Sequence, residues 1–148
     1  VTLFDLKPRG HDEFDRLAAA ALAEVRDTLA TLADLGLGDP AHVAALASRV
    51  TVRPAAEADA LATIPVVFEG VPEIPHLKRA ALADAASRMA PDAILASTTS
   101  TISVEDLAPA VPHPARFLNA HWLNPAYLIP LIEVSPGRAT DGAVTARL

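Results

Sequence analysis

The segment AILASTTSTIS at residues 93–103 decides the class of fold. Its first part, residues 93–97, is a short apolar run of the kind found in strands that are buried on both faces. Its second part is rich in hydroxyl side chains, which predicts a polar loop at the carboxyl end of that strand. Residues 104–108 then favour a short helix. This order of strand, loop and helix indicates an α/β protein with a mainly parallel sheet.

The same alternation extends in both directions along the chain. The other predicted strands are residues 1–6, 49–53, 64–71, 116–121 and 129–134. The other predicted helices are residues 13–35, capped by Asp12, a short one from Asp39-Pro40 to residue 47, a helical turn at 55–61, residues 75–89, and one starting at Thr140 or Asp141. All strands are expected to be apolar throughout, and therefore buried, because parallel sheets carry helices on both faces.

Composition excludes several classes of function. The chain has 148 residues, 51% of them hydrophobic, and a net charge of −6. An acidic chain has no electrostatic attraction for nucleic acids or anionic membranes. It contains no cysteine, which excludes disulfides, thiol nucleophiles and cysteine-ligated metals. No apolar run is long enough to cross a bilayer. These properties predict a soluble cytoplasmic domain without a metal.

Polar residues collect where the predicted strands end, which is where open α/β sheets bind ligands. They are Asp5, residues 69–73, residues 97–101 and residues 121–125. Taken singly, each has an ordinary structural explanation as a cap, a turn residue or a partnered core group. Glu133 is more informative, because its apolar neighbours predict burial and a buried carboxylate requires a partner. His121 is the nearest candidate partner in the sequence.

Taken together, these segments resemble one family. EGVPE at residues 69–73 is followed by Lys78, ILASTTSTI spans 94–102, and HWLNP at 121–125 leads to LIEV at 131–134. In this order and at these spacings they resemble the 3-hydroxyacyl-CoA dehydrogenases, including bacterial 3-hydroxybutyryl-CoA dehydrogenases. The resemblance covers nearly the whole chain, and the His-x-x-Asn-Pro segment with Leu-Ile-Glu-Val is its most specific part.

The resemblance implies NAD as the cofactor. Asp5 matches the acidic residue that binds the adenosine ribose, which favours NAD over NADP because a 2′-phosphate would be repelled. Lys7 and Arg9 lie near it and weaken that preference. Glu69 and Lys78 match residues at the nicotinamide end of the cofactor, and Asn124 matches a residue that supports the loop at the site.

The resemblance also implies the chemistry. His121 matches the general base, Glu133 the carboxylate that orients it, and Ser100 the serine that binds the reacting oxygen of the substrate. Oxidation of a 3-hydroxyacyl-CoA removes a proton from oxygen while a hydride leaves carbon for NAD. Two positions depart from the usual pattern. Thr98 replaces an Asn, which puts that contact in doubt, and Trp122 replaces a Phe.

The expected fold is a Rossmann-like, doubly wound sheet that lacks its first strand and Gly-rich loop. Residues 36–41, GLGDPA, fit the dinucleotide-binding pattern only superficially, because they follow a helix rather than a strand. We therefore expect residues 1–148 to be a partial NAD-binding domain, cut at both ends. A helical C-terminal domain is expected to complete the substrate site and to form a homodimer. These residues alone are expected to be inactive.

Two alternatives remain open at this point. The fold could serve an NAD-dependent dehydrogenase of another small 3-hydroxy acid or alcohol, such as carnitine. It could also be a non-catalytic nucleotide-binding fragment that retains the motifs only by descent.

Overall fold

The computed structural model describes residues 1–148, which divide into two compact units, Val1–Ala58 and Asp59–Leu148. Each unit contains its own sheet, one of two strands and one of four. The predicted α/β class is confirmed, and the elements follow the predicted order. None of the helices combines the length and hydropathy needed to cross a membrane.

The first unit consists of two parallel strands joined by helices. Its elements are β1 (Thr2–Asp5), α1 (His11–Asp34), a 3-10 turn (Pro40–His42), α2 (Val43–Ala47) and β2 (Thr51–Pro54). The register places Thr2 opposite Thr51 and Asp5 opposite Pro54. The first strand was predicted at residues 1–6 and buried. This burial is wrong in part, since Val1 and Leu3 are exposed. With one neighbouring strand, β1 lacks the cover that a central strand receives.

Local signals explain how α1 begins and ends. The cap is Gly10 rather than the predicted Asp12, which lies with Glu13 in the first turn. Carboxylates in the first turn still favour the helix by interacting with its dipole. The end agrees with the prediction, because Gly36 has a φ of 74°, a left-handed conformation that glycine adopts without strain.

The second unit is a four-stranded sheet in the order β3-β4-β5-β6. Its elements are β3 (Val66–Glu69), α3 (Pro75–Arg88), β4 (Ile94–Ser97), α4 (Val104–Leu107), β5 (Phe117–Trp122), β6 (Ile132–Pro136) and α5 (Gly142–Arg147), which Asp141 caps through the Ala143 N–H. The first three strands are parallel, and β6 runs antiparallel to β5. The prediction of a mainly parallel sheet is therefore confirmed.

Alternation of side chains along the strands gives this sheet two apolar faces. Leu95 and Phe117 pack with Leu82 of α3 and Leu107 of α4 on one face. The other face is built mainly from β4 and β5, and Val144 of α5 packs on it. The strands that carry the site are thus held rigidly from both sides.

The last strand differs from the prediction in position and in burial. It was expected at residues 129–134 and buried, but it covers Ile132–Pro136 and all of its residues are exposed. The physical reason is its place at the edge of the sheet, where a strand has a partner on one side only. An apolar run such as residues 131–134 does not distinguish an edge strand from a central one.

Candidate functional site

A row of buried polar residues crosses the sheet of the second unit at the carboxyl ends of β3 and β4. Glu69 ends β3 opposite Ser97, which ends β4, and Ser97 lies opposite Asn119 in β5. All three are buried. Polar groups are rarely buried at strand ends without partners. The row therefore marks the edge of the sheet where α/β proteins place ligands.

Lys78 and Glu69 form the centre of a buried charged network. The side chain of Lys78 is 1% exposed, and its Nζ lies 3.1 Å from Glu69 Oε1, 3.0 Å from the carbonyl oxygen of Val71 and 3.4 Å from Glu73 Oε2. Glu69 also accepts hydrogen bonds from Ser97 Oγ at 2.6 Å and from the Val71 N–H at 2.6 Å. An ammonium group has three donors, and each has an acceptor here.

This network defines what Glu69 and Lys78 do within the chain. Both were expected to line the nicotinamide end of the cofactor, and the structure places both in the interior, paired with each other. They connect the end of β3 to α3, and through Ser97 to β4. Their contact with a cofactor stays a prediction.

Glu73 binds the polar loop that follows β4. Its Oε1 accepts hydrogen bonds from the N–H groups of Ser100 and Thr101, both at 3.0 Å, and from Thr101 Oγ1 at 3.1 Å. It also accepts one from Thr99 Oγ1. Its other oxygen faces Lys78. One carboxylate thus accepts four hydrogen bonds from this loop.

The hydroxyl groups of the loop are mostly committed to carboxylates. Ser97 donates to Glu69, Thr99 and Thr101 donate to Glu73, and Ser103 donates to Asp106 at 2.8 Å. Ser100 is exposed, and its hydrogen bond to Glu73 is made by its backbone N–H. Its hydroxyl is therefore available for an external oxygen, and its contact with a substrate stays a prediction.

Glu73 has a strongly perturbed pKa. Burial raises the pKa of its carboxyl group, but hydrogen bonds from Thr99 and Thr101 and the charge of Lys78 outweigh that effect and lower it to about 2. A carboxylate with a depressed pKa stabilises the fold above its unfolded pKa, near 4.5, and loses that contribution as the pH falls toward 2.

We expect acid to weaken the native protein partly through Glu73. Between pH 5 and pH 2.5, the urea midpoint of the Glu73→Gln variant should fall less steeply than that of the unaltered protein, since one linked protonation is removed. Glu24 lies exposed on α1, so Glu24→Gln is the matched control and should follow the unaltered protein. Parallel slopes for Glu73→Gln and the unaltered protein would contradict the assigned pKa.

His121 and Glu133 pair across the last two strands. They lie opposite each other in the antiparallel register of β5 and β6, and His121 Nδ1 is 2.9 Å from Glu133 Oε2. The predicted pairing is therefore present. The predicted burial of Glu133 is wrong, because its side chain is 58% exposed while that of His121 is 22% exposed. Glu133 lies in solvent, at the edge of the sheet.

Asp5 belongs to the first unit and Asn124 to the second. Asp5 ends β1 in the first unit, where its carboxylate accepts hydrogen bonds from the Arg9 guanidinium and from the Lys7 N–H at 3.3 Å. The hydrogen bond that Arg9 donates to Asp5 raises the pKa of Arg9, and its hydrogen bond to Glu13 raises it further. Asn124 is exposed and precedes a cis peptide bond to Pro125. Within the second unit, the structure thus brings together His121 with Glu133, and Glu69 with Lys78.

Sequence reasoning assigned no role to Glu73, Ser97 or Asn119. Glu73 and Ser97 lie within the quoted motifs, yet their partners are distant in sequence. Asn119 is buried, and its Nδ2 donates to the carbonyl oxygen of Ile102 at 2.9 Å. A polar residue inside the apolar run of β5 was the one signal that could have identified it.

A parallel sheet with buried polar residues at its carboxyl edge and a histidine–carboxylate pair beside them defines a Rossmann-like dehydrogenase domain. The family model for "3-hydroxyacyl-CoA dehydrogenase, NAD binding domain" matches residues 4–148. This chain belongs to that family, and NAD is the cofactor that the family specifies.

Known proteins agree with this assignment. The chain is 38% identical over 95 residues to the fatty acid oxidation complex subunit alpha of Acinetobacter baylyi, covering 64% of this chain and 13% of that protein. The crystal structure of FadB2 of M. tuberculosis superposes with a TM-score of 0.86 at 27% identity, covering 99% of this chain and 49% of that one. The (S)-3-hydroxybutyryl-CoA dehydrogenase PaaH1 of Ralstonia eutropha gives a TM-score of 0.86 at 25% identity, with the same coverage.

Proposed function

We propose that the full-length protein oxidises 3-hydroxyacyl-CoA thioesters, with 3-hydroxybutyryl-CoA as the representative substrate, and reduces NAD. The observation that carries the proposal is the 2.9 Å contact between His121 Nδ1 and Glu133 Oε2 in a domain of this family. The similarity to the 3-hydroxybutyryl-CoA dehydrogenases of Escherichia coli and Ralstonia eutropha supports the choice of the 3-hydroxybutyryl group as the acyl chain. The chain spans about half of the length of FadB2 of M. tuberculosis, so the activity is proposed for the full-length protein.

The contact determines which nitrogen of His121 can act as the base. An ionised carboxylate only accepts hydrogen bonds, so Nδ1 carries the hydrogen that it donates to Glu133. Nε2 then has the free lone pair and takes the proton of the C3 hydroxyl group. Glu133 holds the ring in this tautomer and stabilises the imidazolium that forms. An imidazole is suited to this exchange because it accepts and returns a proton near neutral pH.

The oxidation of the C3 hydroxyl group removes one hydride and one proton, and each has an acceptor. NAD, when bound, supplies the acceptor for the hydride that leaves C3. The hydroxyl proton goes to Nε2 of His121, and the C3–O bond becomes a carbonyl. The Ser100 hydroxyl, which is not committed within the chain, donates a hydrogen bond to the same oxygen. The reverse reaction returns the proton from His121.

Residues of this chain fit parts of the cofactor. Asp5 presents a carboxylate at the carboxyl end of a parallel strand, the position that binds an adenosine ribose in such sheets. Its side chain is 17% exposed and already pairs with Arg9. Glu69, Lys78 and Asn124 are proposed at the nicotinamide end, with Glu69 and Lys78 shaping it through their buried network. No Gly-rich loop follows a strand within these residues.

We further infer a cytoplasmic homodimer that is assembled through a helical domain beyond these residues. Two observations are compatible with it. The chain covers 49% of its structural relative FadB2. The apolar residues Leu131, Ile132 and Val134 are exposed beside the proposed base.

We expect the full-length protein to reduce NAD with 3-hydroxybutyryl-CoA and to be much slower with free 3-hydroxy acids or carnitine. Initial rates at matched substrate concentrations measure this. Faster turnover of the free acid or carnitine would instead favour a dehydrogenase of small 3-hydroxy compounds. Cofactor binding without turnover of any of these substrates would indicate a non-catalytic nucleotide-binding protein.

Cofactor binding has its own readout, independent of turnover. Trp122 is the only tryptophan and adjoins His121, so NADH bound at the proposed nicotinamide end should quench its fluorescence saturably. Titration of the 148-residue chain tests whether these residues suffice, and titration of the full-length protein tests the site itself. Absence of quenching in both would contradict the proposed position of NAD.

A further inference from the structure

The loop between β4 and α4 is bound from two directions. Glu73, which precedes α3, accepts hydrogen bonds from the backbone of Ser100 and Thr101. Asn119, two residues before His121 in β5, donates to the carbonyl oxygen of Ile102 at 2.9 Å. Ser100 therefore lies on a segment whose backbone is hydrogen-bonded at residues 100–102.

The contact with Glu73 is unusually dense for a side chain on the protein surface. Its side chain is 38% exposed, yet its Oε1 collects two backbone N–H groups and two hydroxyl groups from Thr99, Ser100 and Thr101. Two successive N–H groups thus converge on one carboxylate oxygen. These hydrogen bonds restrain the backbone of residues 99–101.

The anchor of Glu73 is itself rigid. Its second oxygen lies 3.4 Å from Nζ of Lys78, whose side chain is buried and also bound to Glu69. Glu73 therefore connects the exposed loop to the row of buried polar residues at the strand ends. A movement of Glu73 would require the buried ammonium group to lose one of its acceptors, which is costly.

The consequence concerns Ser100 in particular. Ser97, Thr99 and Thr101 donate their hydroxyl hydrogens to carboxylates within the chain, whereas the hydroxyl groups of Thr98 and Ser100 do not. Of these two residues, Ser100 is the exposed one, and its N–H is held by Glu73. Immobilising the backbone while leaving the hydroxyl free prepares that group to bind an oxygen atom of a ligand. Precise placement of such a group strongly affects the rate of the reaction that it assists.

We propose that Glu73 is a positioning residue for the dehydrogenase reaction, acting through Ser100 by clamping the backbone of residues 99–101. This deepens the proposed function and rests on it. Glu73 does not touch the substrate. Its effect is to hold the Ser100 hydroxyl where the C3 oxygen binds, so its removal should impair turnover and leave NAD binding unchanged.

The decisive experiment combines substitutions at Glu73 and Ser100. Glu73→Ala should lower kcat of the full-length enzyme about 10- to 100-fold, the loss expected from misplacing a group by about 1 Å. The Kd for NADH should not change. In the Ser100→Ala background, Glu73→Ala should cost no further turnover, because the group that it positions is gone. Glu24→Gln, exposed on α1, is the control for loss of a surface carboxylate.

A second measurement does not depend on turnover. Amide hydrogen exchange should show that Ser100 and Thr101 lose protection in Glu73→Ala and regain part of it in Glu73→Gln, whose amide oxygen can still accept both N–H groups. Unchanged protection in Glu73→Ala would overturn the clamp. If Glu73→Ala lowered kcat by the same factor in the unaltered enzyme and in the Ser100→Ala background, the proposal that Glu73 acts through Ser100 would be wrong.

The two proposals can fail separately. If the unaltered full-length enzyme turned over no 3-hydroxyacyl-CoA, the proposed function would be wrong, and with it the catalytic purpose of the clamp. If the unaltered enzyme is active and Glu73→Ala retains full kcat, the positioning role alone is wrong.

Discussion

Replacing His121 with Gln is expected to lower kcat for 3-hydroxyacyl-CoA oxidation about 10²- to 10⁴-fold, the usual contribution of a positioned general base. Glutamine retains a polar side chain of similar reach but cannot accept the hydroxyl proton. The loss should appear in kcat, because the proton transfer belongs to the chemical step. Steady-state rates with 3-hydroxybutyryl-CoA and NAD measure it.

The partner of His121 supplies a comparison. In Glu133→Gln the amide oxygen can still accept the hydrogen bond from His121 Nδ1, but the charge that stabilises the imidazolium is removed. Turnover should therefore fall for this variant too, while NADH quenching of Trp122 stays unchanged in both variants. Full turnover in His121→Gln would refute its role as the base, and loss of NADH binding would show that the pair serves the cofactor site instead.

Replacing Lys78 with Met is expected to destabilise the fold by about 3–5 kcal/mol, the cost of removing one partner from a buried ion pair. Glu69 would remain in the interior, 6% exposed, without its counter-charge. Such a loss is large compared with the total stability of a typical domain, about 5–15 kcal/mol. Urea denaturation followed by Trp122 fluorescence measures it.

The chain provides a matched control for this substitution. Lys7 is its only other lysine and is exposed, so Lys7→Met should change the stability by less than about 0.5 kcal/mol. Combining Lys78→Met with Glu69→Gln should recover part of the loss, because the unpaired charge is then gone. A Lys78→Met variant as stable as Lys7→Met would show that the buried pair contributes little to the fold.

Several features were accessible to sequence reasoning because they depend on neighbouring residues. The left-handed Gly36 after α1 and the cap at Asp141 follow from local backbone chemistry. The strands β4 and β5 follow from apolar runs that are buried on both faces. The His121–Glu133 pairing was also predicted, but from the burial of Glu133, which is wrong; the two residues pair because the antiparallel register of β5 and β6 places them opposite each other.

Errors arose where the sequence does not record the place of an element in the sheet. Residues 131–134 read as a buried strand, but β6 lies at the edge and is exposed. Asp12 reads as a helix cap, but α1 begins at His11, after Gly10. For β6, the position at the edge of the sheet explains the difference, whereas nothing in the structure explains the earlier start of α1.

The sequence by itself determined the α/β class, the order of the elements and the family, because periodicity and motif spacing are properties of neighbouring residues. The tertiary structure decided that Lys78 is fully enclosed, that Glu73 rather than another carboxylate holds the loop, and that Ser100 keeps its hydroxyl free. Glu73 and Thr99 are 26 positions apart. They meet only because β3 and β4 pair in parallel and end at the same edge of the sheet.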